Sequence, residues 1–227
     1  MNKVITKEDA FDMLHDGQRI MISGFAEVGT PFTLIDGLLE RNIRDITLIA
    51  NDTGRPNIPG IAPLVFNHQI KKAMCTHIGT NPETGRQIVA GEIEVELIPQ
   101  GTFCERIRCG GAGIGGVYLR TGVGTVVAEG KEVREFDGRQ YVLERPIRAD
   151  VALIRCWKVD RHGNMVFRRT ARNYNPIMAQ AADLVLLEAE EIVEVGELDP
   201  DEIMLPGVFV DYVIQAKELD EVWKQES

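Results

Sequence analysis

Arg19-Ile20-Met21-Ile22-Ser23-Gly24-Phe25-Ala26-Glu27-Val28-Gly29-Thr30-Pro31, with Leu34, Ile35, Leu38 and Leu39 behind it and then Ile46-Thr47-Leu48-Ile49-Ala50, is the stretch that decides the fold. A short apolar run bounded by turn residues reads as a buried strand, and leucines and isoleucines three and four apart read as a helix face. Thr30 is expected to cap that helix and Pro31 to open its first turn. Strand, loop, helix and strand at this spacing make a βαβ unit, which requires a parallel sheet.

The same grammar extends in both directions. Upstream, Thr6 and Asp9 resemble a capping box, Ala10, Phe11 and Leu14 form a helical stripe, and Gly17 suits its stop. Downstream, residues 72–75, 95–98, 151–156 and 184–187 read as strands, and Pro176 opens a short helix through Ala182. Residues 102–109 read as a helix whose capping box pairs Thr102 with Glu105. Gly110-Gly111-Ala112-Gly113-Ile114-Gly115-Gly116 reads as a loop, needed either for a tight backbone crossing or for a ligand's close approach. Asp137-Gly138 is a two-residue turn signal inside a β-hairpin spanning 132–144. The expectation is one α/β domain over residues 1–227, an open, mixed, mainly parallel sheet flanked by helices. The hairpin is an insertion, and residues 216–227 form a charged, helical tail.

Composition narrows the function classes. The 227 residues carry a formal net charge of −10, which disfavours sequence-independent nucleic-acid binding through released counterions. The N-terminus turns polar too early for a secretory signal, and no apolar run approaches membrane-spanning length, so a cytoplasmic chain with no membrane contact is expected. Cys75, Cys104, Cys109 and Cys156 form no CxxC pair and read as buried thiols. His15, His68, His77 and His162 lack metal-ligand spacing, so no metal is expected.

Three features could carry chemistry. The loop from Gly24 to Gly29 follows a strand and precedes a helix, as an anion-binding loop does, although Ala26 breaks the dinucleotide fingerprint and a purely structural turn reads equally well. Among the carboxylates, Glu27 sits in that loop as the more exposed candidate, while Glu190, Glu191, Glu194 and Glu197 read as a solvated acidic face. Asn51 and Gln100 fall at strand ends, where open parallel sheets bind ligands. For Asn51 the competing reading is an Asx turn in Asn-Asp-Thr-Gly.

Longer motifs then add a resemblance. Asp16-Gly17, Ser23-Gly24-Phe25, Gly29-Thr30-Pro31, Asn51-Asp52, His77-Ile78-Gly79-Thr80-Asn81-Pro82-Glu83-Thr84-Gly85, Pro99-Gln100-Gly101-Thr102, Arg108-Cys109-Gly110-Gly111-Ala112-Gly113, Ala171-Arg172-Asn173-Tyr174-Asn175-Pro176 and Gly196-Glu197-Leu198-Asp199-Pro200 occur in this order from about residue 5 to 214. In these the chain resembles the alpha subunit of the family I coenzyme A transferases, with Ser23 where that family has a glycine. The bacterial acetate/acetoacetate type shares the Asn-Asp-Thr and Gly-Thr-Asn-Pro-Glu-Thr-Gly runs.

The resemblance implies the CoA-transferase (NagB-like) fold and ping-pong transfer of CoA between a short-chain acyl-CoA and a carboxylate of the acetate, acetoacetate or butyrate class. CoA is then a substrate, with no further cofactor. It implies a nucleophilic glutamate in a Ser-Glu-Asn-Gly motif of a beta subunit in an α2β2 assembly; this chain has no such motif, so no catalytic residue is assigned to it. The family's CoA-binding segment maps onto Gly24, Phe25, Ala26, Glu27, Val28, Gly29 and Thr30, and its acyl-site amides onto Asn51 and Gln100. Two alternatives remain at this stage: a single-chain hydrolase or isomerase using Glu27 directly, and a non-catalytic sensor of small anions.

Overall fold

The apolar runs become strands because helices cover them on both sides. The computed structural model describes residues 2–218. Its elements run α1 (Lys7–Phe11), β1 (Arg19–Ile22), α2 (Phe32–Glu40), β2 (Ile46–Ile49), α3 (Ala62–Phe66), β3 (Ile70–Cys75), α4 (Pro82–Ala90), β4 (Glu94–Leu97) and α5 (Gln100–Gly111). There follow β5 (Val117–Leu119), β6 (Val133–Phe136), β7 (Arg139–Glu144), β8 (Ala149–Asp160), β9 (Met165–Val166), α6 (Asn175–Ala179), β10 (Ala182–Val193) and β11 (Tyr212–Gln215).

Seven strands lie in the order β11-β10-β8-β1-β2-β3-β4, all parallel, and β9 pairs antiparallel with β8. Side chains alternate across a strand, so Ile20 and Ile22 join Phe11, Leu34 and Leu38 on one face. Met21 joins Phe103, Ile107 and Met178 on the other. Burial on both faces explains why the central strands are continuously apolar. The 132–144 hairpin forms as expected: Asp137 (φ 49°) and Gly138 (φ 71°) make its turn, and β5 extends it to a separate three-stranded antiparallel sheet.

Several local expectations are corrected. Thr30 does not cap α2 and Pro31 is not its first residue: the helix begins at Phe32, with Pro31 at the cap and no side-chain cap bond from it. The free amides find a distant acceptor instead. Oε2 of the buried Glu188, on β10, accepts the Leu34 N–H at 3.0 Å. Nor do Thr102 and Glu105 form a capping box, because α5 already starts at Gln100 behind Pro99. Thr102 is buried within the first turn with its hydroxyl unpartnered, and Glu105 pairs with Arg108 at 2.8 Å. Gly110 and Gly111 belong to α5 rather than to a loop, and a Cβ at Gly110 would lie 2.1 Å from the Ile147 carbonyl oxygen. A tight crossing therefore accounts for the first glycines of that run.

The helix opened near Pro176 ends at Ala179, and Ala182 already belongs to β10. Residues 216–218 are not helical, and the rest of the expected tail helix lies outside the described residues. The acidic run is exposed as expected, and it is also paired: Glu190 and Glu191 meet Arg155 and Lys158 on the adjacent β8, and Glu194 meets Arg161. Burial pushes the Cys75 thiol up to about 12 and also raises Cys104 and Cys156, so these thiols stay protonated at neutral pH. Among the described residues no helix is long and apolar enough to cross a membrane.

Candidate functional site at the carboxyl edge of the sheet

The sheet changes winding direction at β1, which pairs with β2 on one side and β8 on the other. Such a switch point leaves a crevice at the strands' carboxyl ends. The loop after β1 enters it as a minimal hairpin: Phe25 and Val28 exchange backbone hydrogen bonds of 3.1 Å around Ala26 (φ 47°) and Glu27 (φ 67°). Two successive left-handed residues suit glycine or asparagine. Holding alanine and glutamate there costs on the order of 1 kcal/mol each.

Side-chain contacts hold them. The Glu27 carboxylate takes both Nη2 (2.5 Å) and Nε (3.2 Å) of Arg55, from the loop after β2. At 9% side-chain exposure and doubly bonded, Glu27 is less available than an exposed loop carboxylate. The Ser23 hydroxyl donates to the Gly29 carbonyl at 3.1 Å and ties the loop's two ends together. A Cβ at Gly24 would meet Thr30 Oγ1 at 2.1 Å, and one at Gly29 would meet the Ala171 carbonyl oxygen at 2.5 Å, both at positive φ. The loop's own closure already demands these two glycines.

Asn51 follows β2 and is 7% exposed. The Asx turn belongs to its neighbour: Asp52 Oδ1 accepts the Gly54 N–H at 2.8 Å. Asn51 instead organises a polar network. Its Oδ1 accepts from the Tyr174 hydroxyl (2.9 Å) and the Thr76 hydroxyl (3.2 Å), and its Nδ2 donates to Asp52 Oδ2 (2.8 Å). An ionised carboxylate only accepts, so Asp52 fixes which end of the amide faces it. Burial raises the Tyr174 phenol well above its usual pKa, and the nearby Gln100 side chain pulls it partly back. Gln100, the exposed first residue of α5, thus lies near Tyr174, the hydroxyl that bonds Asn51.

Two concavities flank the loop. A recess of about 20 Å³ lies between Ser23, Gly24 and Thr30 on one side and Asn51 and Asp52 on the other. A cleft of about 400 Å³ opens between residues 26–29 and a wall made by Trp157 and residues 168–171. There the Arg168 guanidinium lies 5.4 Å from the centroid of the Trp157 ring. The arrangement offers amide donors beside a small recess and a larger, arginine-lined channel next to it.

The Coenzyme A transferase profile matches residues 4–216 of this sequence. The chain belongs to the coenzyme A transferase family. Within that family it is an alpha-type CoA-transferase subunit, part of an enzyme that acts with a partner subunit. It is 51% identical over 216 residues to the acetate CoA-transferase subunit alpha of Escherichia coli K12, covering 95% of this chain and 98% of that one. It is 46% identical over 214 residues to the acetoacetyl-CoA:acetate/butyrate CoA transferase alpha subunit of Clostridium acetobutylicum, covering 94% and 98%. Among solved structures, the acyl-CoA transferase YdiF of Escherichia coli O157:H7 superposes with a TM-score of 0.83 at 22% identity, over 95% of this chain and 47% of that one. Glutaconate coenzyme A-transferase from Acidaminococcus fermentans gives 0.82 at 19%, over 94% and 75%. These two similarities confirm the CoA-transferase fold expected from the sequence.

Reading the sequence alone leaves out Tyr174, Thr76, Asp52 and Arg55 as parts of this site, along with Trp157 and Arg168. Only Tyr174 and Asp52 fall within the family-like motifs, and neither carries a sequence signal that assigns it a task.

Proposed function

We propose that this subunit moves CoA between a short-chain acyl-CoA and a carboxylate of the acetate, acetoacetate or butyrate class, in a cytoplasmic α2β2 enzyme whose glutamate nucleophile lies on the beta subunit. One observation carries this: the loop 24–30 and Asn51 line one recess at the carboxyl edge, Gln100 lies near Asn51's partner Tyr174, and the loop's one carboxylate, Glu27, is held by Arg55. The acetate and butyrate in the names of the relatives from Escherichia coli and Clostridium acetobutylicum support the substrate class.

In this reading the partner's glutamate attacks the thioester carbonyl, the C–S bond breaks, and CoA leaves as thiolate from an acyl-glutamyl anhydride. The thiolate then attacks the glutamyl carbonyl, releases the first carboxylate and leaves a glutamyl-CoA thioester. The second carboxylate reverses both steps, so no net proton is consumed. Asn51 donates an N–H to the carbonyl oxygen as it gains charge, and Gln100 supports it through Tyr174. The backbone of residues 24–30 lies along CoA, whose phosphate-bearing end follows the cleft past Trp157 and Arg168.

A lone-chain enzyme using Glu27 is disfavoured by the bidentate Arg55 contact. The test is expression alone and together with a companion chain carrying Ser-Glu-Asn-Gly. The pair is expected to exchange acyl groups and form a hydroxylamine-trappable thioester on the companion, whereas this chain alone should do neither. Turnover by the lone chain would overturn the assignment.

Arg168→Glu in the assembled enzyme should raise the KM for acyl-CoA about tenfold with little change in kcat, because it reverses a charge on the channel wall without touching the reacting carbon. An unchanged KM would move CoA's phosphates elsewhere.

A further inference from the structure

The Glu27–Arg55 pair stands between the two concavities. Ala26 and Glu27 line both the recess beside Asn51 and the large cleft, while Arg55 lines the cleft. The pair also bridges the loops that follow β1 and β2, 28 residues apart in sequence. Its cost is visible in the backbone, since Glu27 sits at φ 67° beside Ala26 at φ 47°. Left-handed residues with side chains persist where surrounding contacts over-determine them, and they cluster at functional sites. Here a two-point guanidinium–carboxylate contact does so, with the fork geometry that gives such pairs their directionality.

We infer that the Glu27–Arg55 ion pair is the specificity-determining partition of the acyl site, confining the acyl group beside Asn51 to the small recess and keeping it apart from the CoA channel. This rests on the proposed transferase reading and sharpens its substrate class. A recess of about 20 Å³ admits a methyl-sized extension with modest adjustment, and the pair blocks the route by which a longer chain could reach the 400 Å³ cleft. The ligand class is therefore short, unbranched acyl groups. Neither member of the pair takes part in bond making.

Glu27→Gly and Arg55→Ala, each made in the assembled enzyme, test the partition. Glycine is the residue best suited to φ 67°, so the first variant keeps the turn while removing the carboxylate. Arg55→Ala removes the other half of the pair and leaves the loop sequence intact. For each, kcat/KM is measured with acetate, butyrate and hexanoate as CoA acceptors, and the hexanoate-to-acetate ratio is read regardless of absolute rate. One extra methylene in an apolar pocket already discriminates by one to two orders of magnitude. Both variants are expected to raise that ratio about tenfold or more over wild type.

A general weakening of the site would lower all three acceptors together and leave the ratio unmoved, which overturns the inference. An unchanged ratio at full activity overturns it equally. If wild-type enzyme transfers CoA to none of the acids, the proposed substrate class itself fails; if it transfers to acetate while both variants keep its acceptor profile, only the partition fails.

Discussion

Replacing Arg155 by methionine is expected to destabilise the fold by about 3–5 kcal/mol, the usual cost of stranding one member of a buried ion pair. Arg155 on β8 and Glu188 on β10 are register partners at 4% and 0% side-chain exposure, joined by an Nη1–Oε1 contact of 2.5 Å. The guanidinium also reaches Glu190 and lies 6.0 Å from the centroid of the Phe32 ring. Methionine preserves most of that packing and removes the charge together with its hydrogen-bond donors. Glu188 would then face the α2 amides alone, and desolvation already raises its pKa against the opposing pull of Arg155.

The pH dependence follows from that direction. A carboxyl whose folded-state pKa lies above its unfolded value favours folding below the unfolded pKa and loses that contribution as pH rises through the folded one. The deficit of Arg155→Met should therefore shrink as pH falls from neutral toward the carboxylate range. Adding Glu188→Gln, which keeps an oxygen for the Leu34 N–H but no charge, should recover much of the loss at neutral pH. Urea unfolding at two pH values measures both effects. A single variant as stable as wild type at neutral pH would show that the pair is not what organises this part of the sheet.

That pair also shows where the sequence stops being legible. β1 and β2 could be read from Arg19–Ile22 and Ile46–Ile49 because a strand buried on both faces is a local apolar run. The hairpin turn was legible because Asp137-Gly138 is a local requirement for positive φ. Helix starts were legible only in part: Thr6 caps α1 and bonds Asp9 as its local pattern demands, but the same local rules nominate Thr30 and Thr102, where tertiary structure decides. The acceptor that satisfies α2 comes from Glu188, 154 residues further on. The site divides in the same way. Gly24, Asn51 and Gln100 stood out through position and resemblance, but Tyr174 reaches Asn51 across 123 residues, and its hydroxyl has no motif of its own. The Glu27–Arg55 pair lacks helical or strand spacing, so nothing in periodicity joins them.

Asn51→Ala in the assembled enzyme should lower kcat about a hundredfold, corresponding to the ~3 kcal/mol that one preorganised oxyanion donor supplies. Its Oδ1 is occupied by Tyr174 and Thr76, and one of its N–H groups by Asp52. The second N–H has no acceptor among the described residues, which leaves it for the substrate oxygen. The fold should tolerate the change, because each neighbour keeps another partner. Thr76 still donates to the Asn51 backbone oxygen at 2.9 Å, Asp52 still accepts from Gly54, and the Tyr174 ring keeps its edge contact with Phe103. Assembly and the KM for acyl-CoA should therefore stay near wild type while turnover falls. Asn51→Asp separates donor from shape: it retains an oxygen for Tyr174 but offers no N–H, and places a negative charge where the oxyanion forms. Its kcat should fall at least as far as that of the alanine variant. Wild-type turnover in either variant would remove Asn51 from the reacting site and leave the Tyr174–Asn51–Asp52 network as a brace for the loops alone.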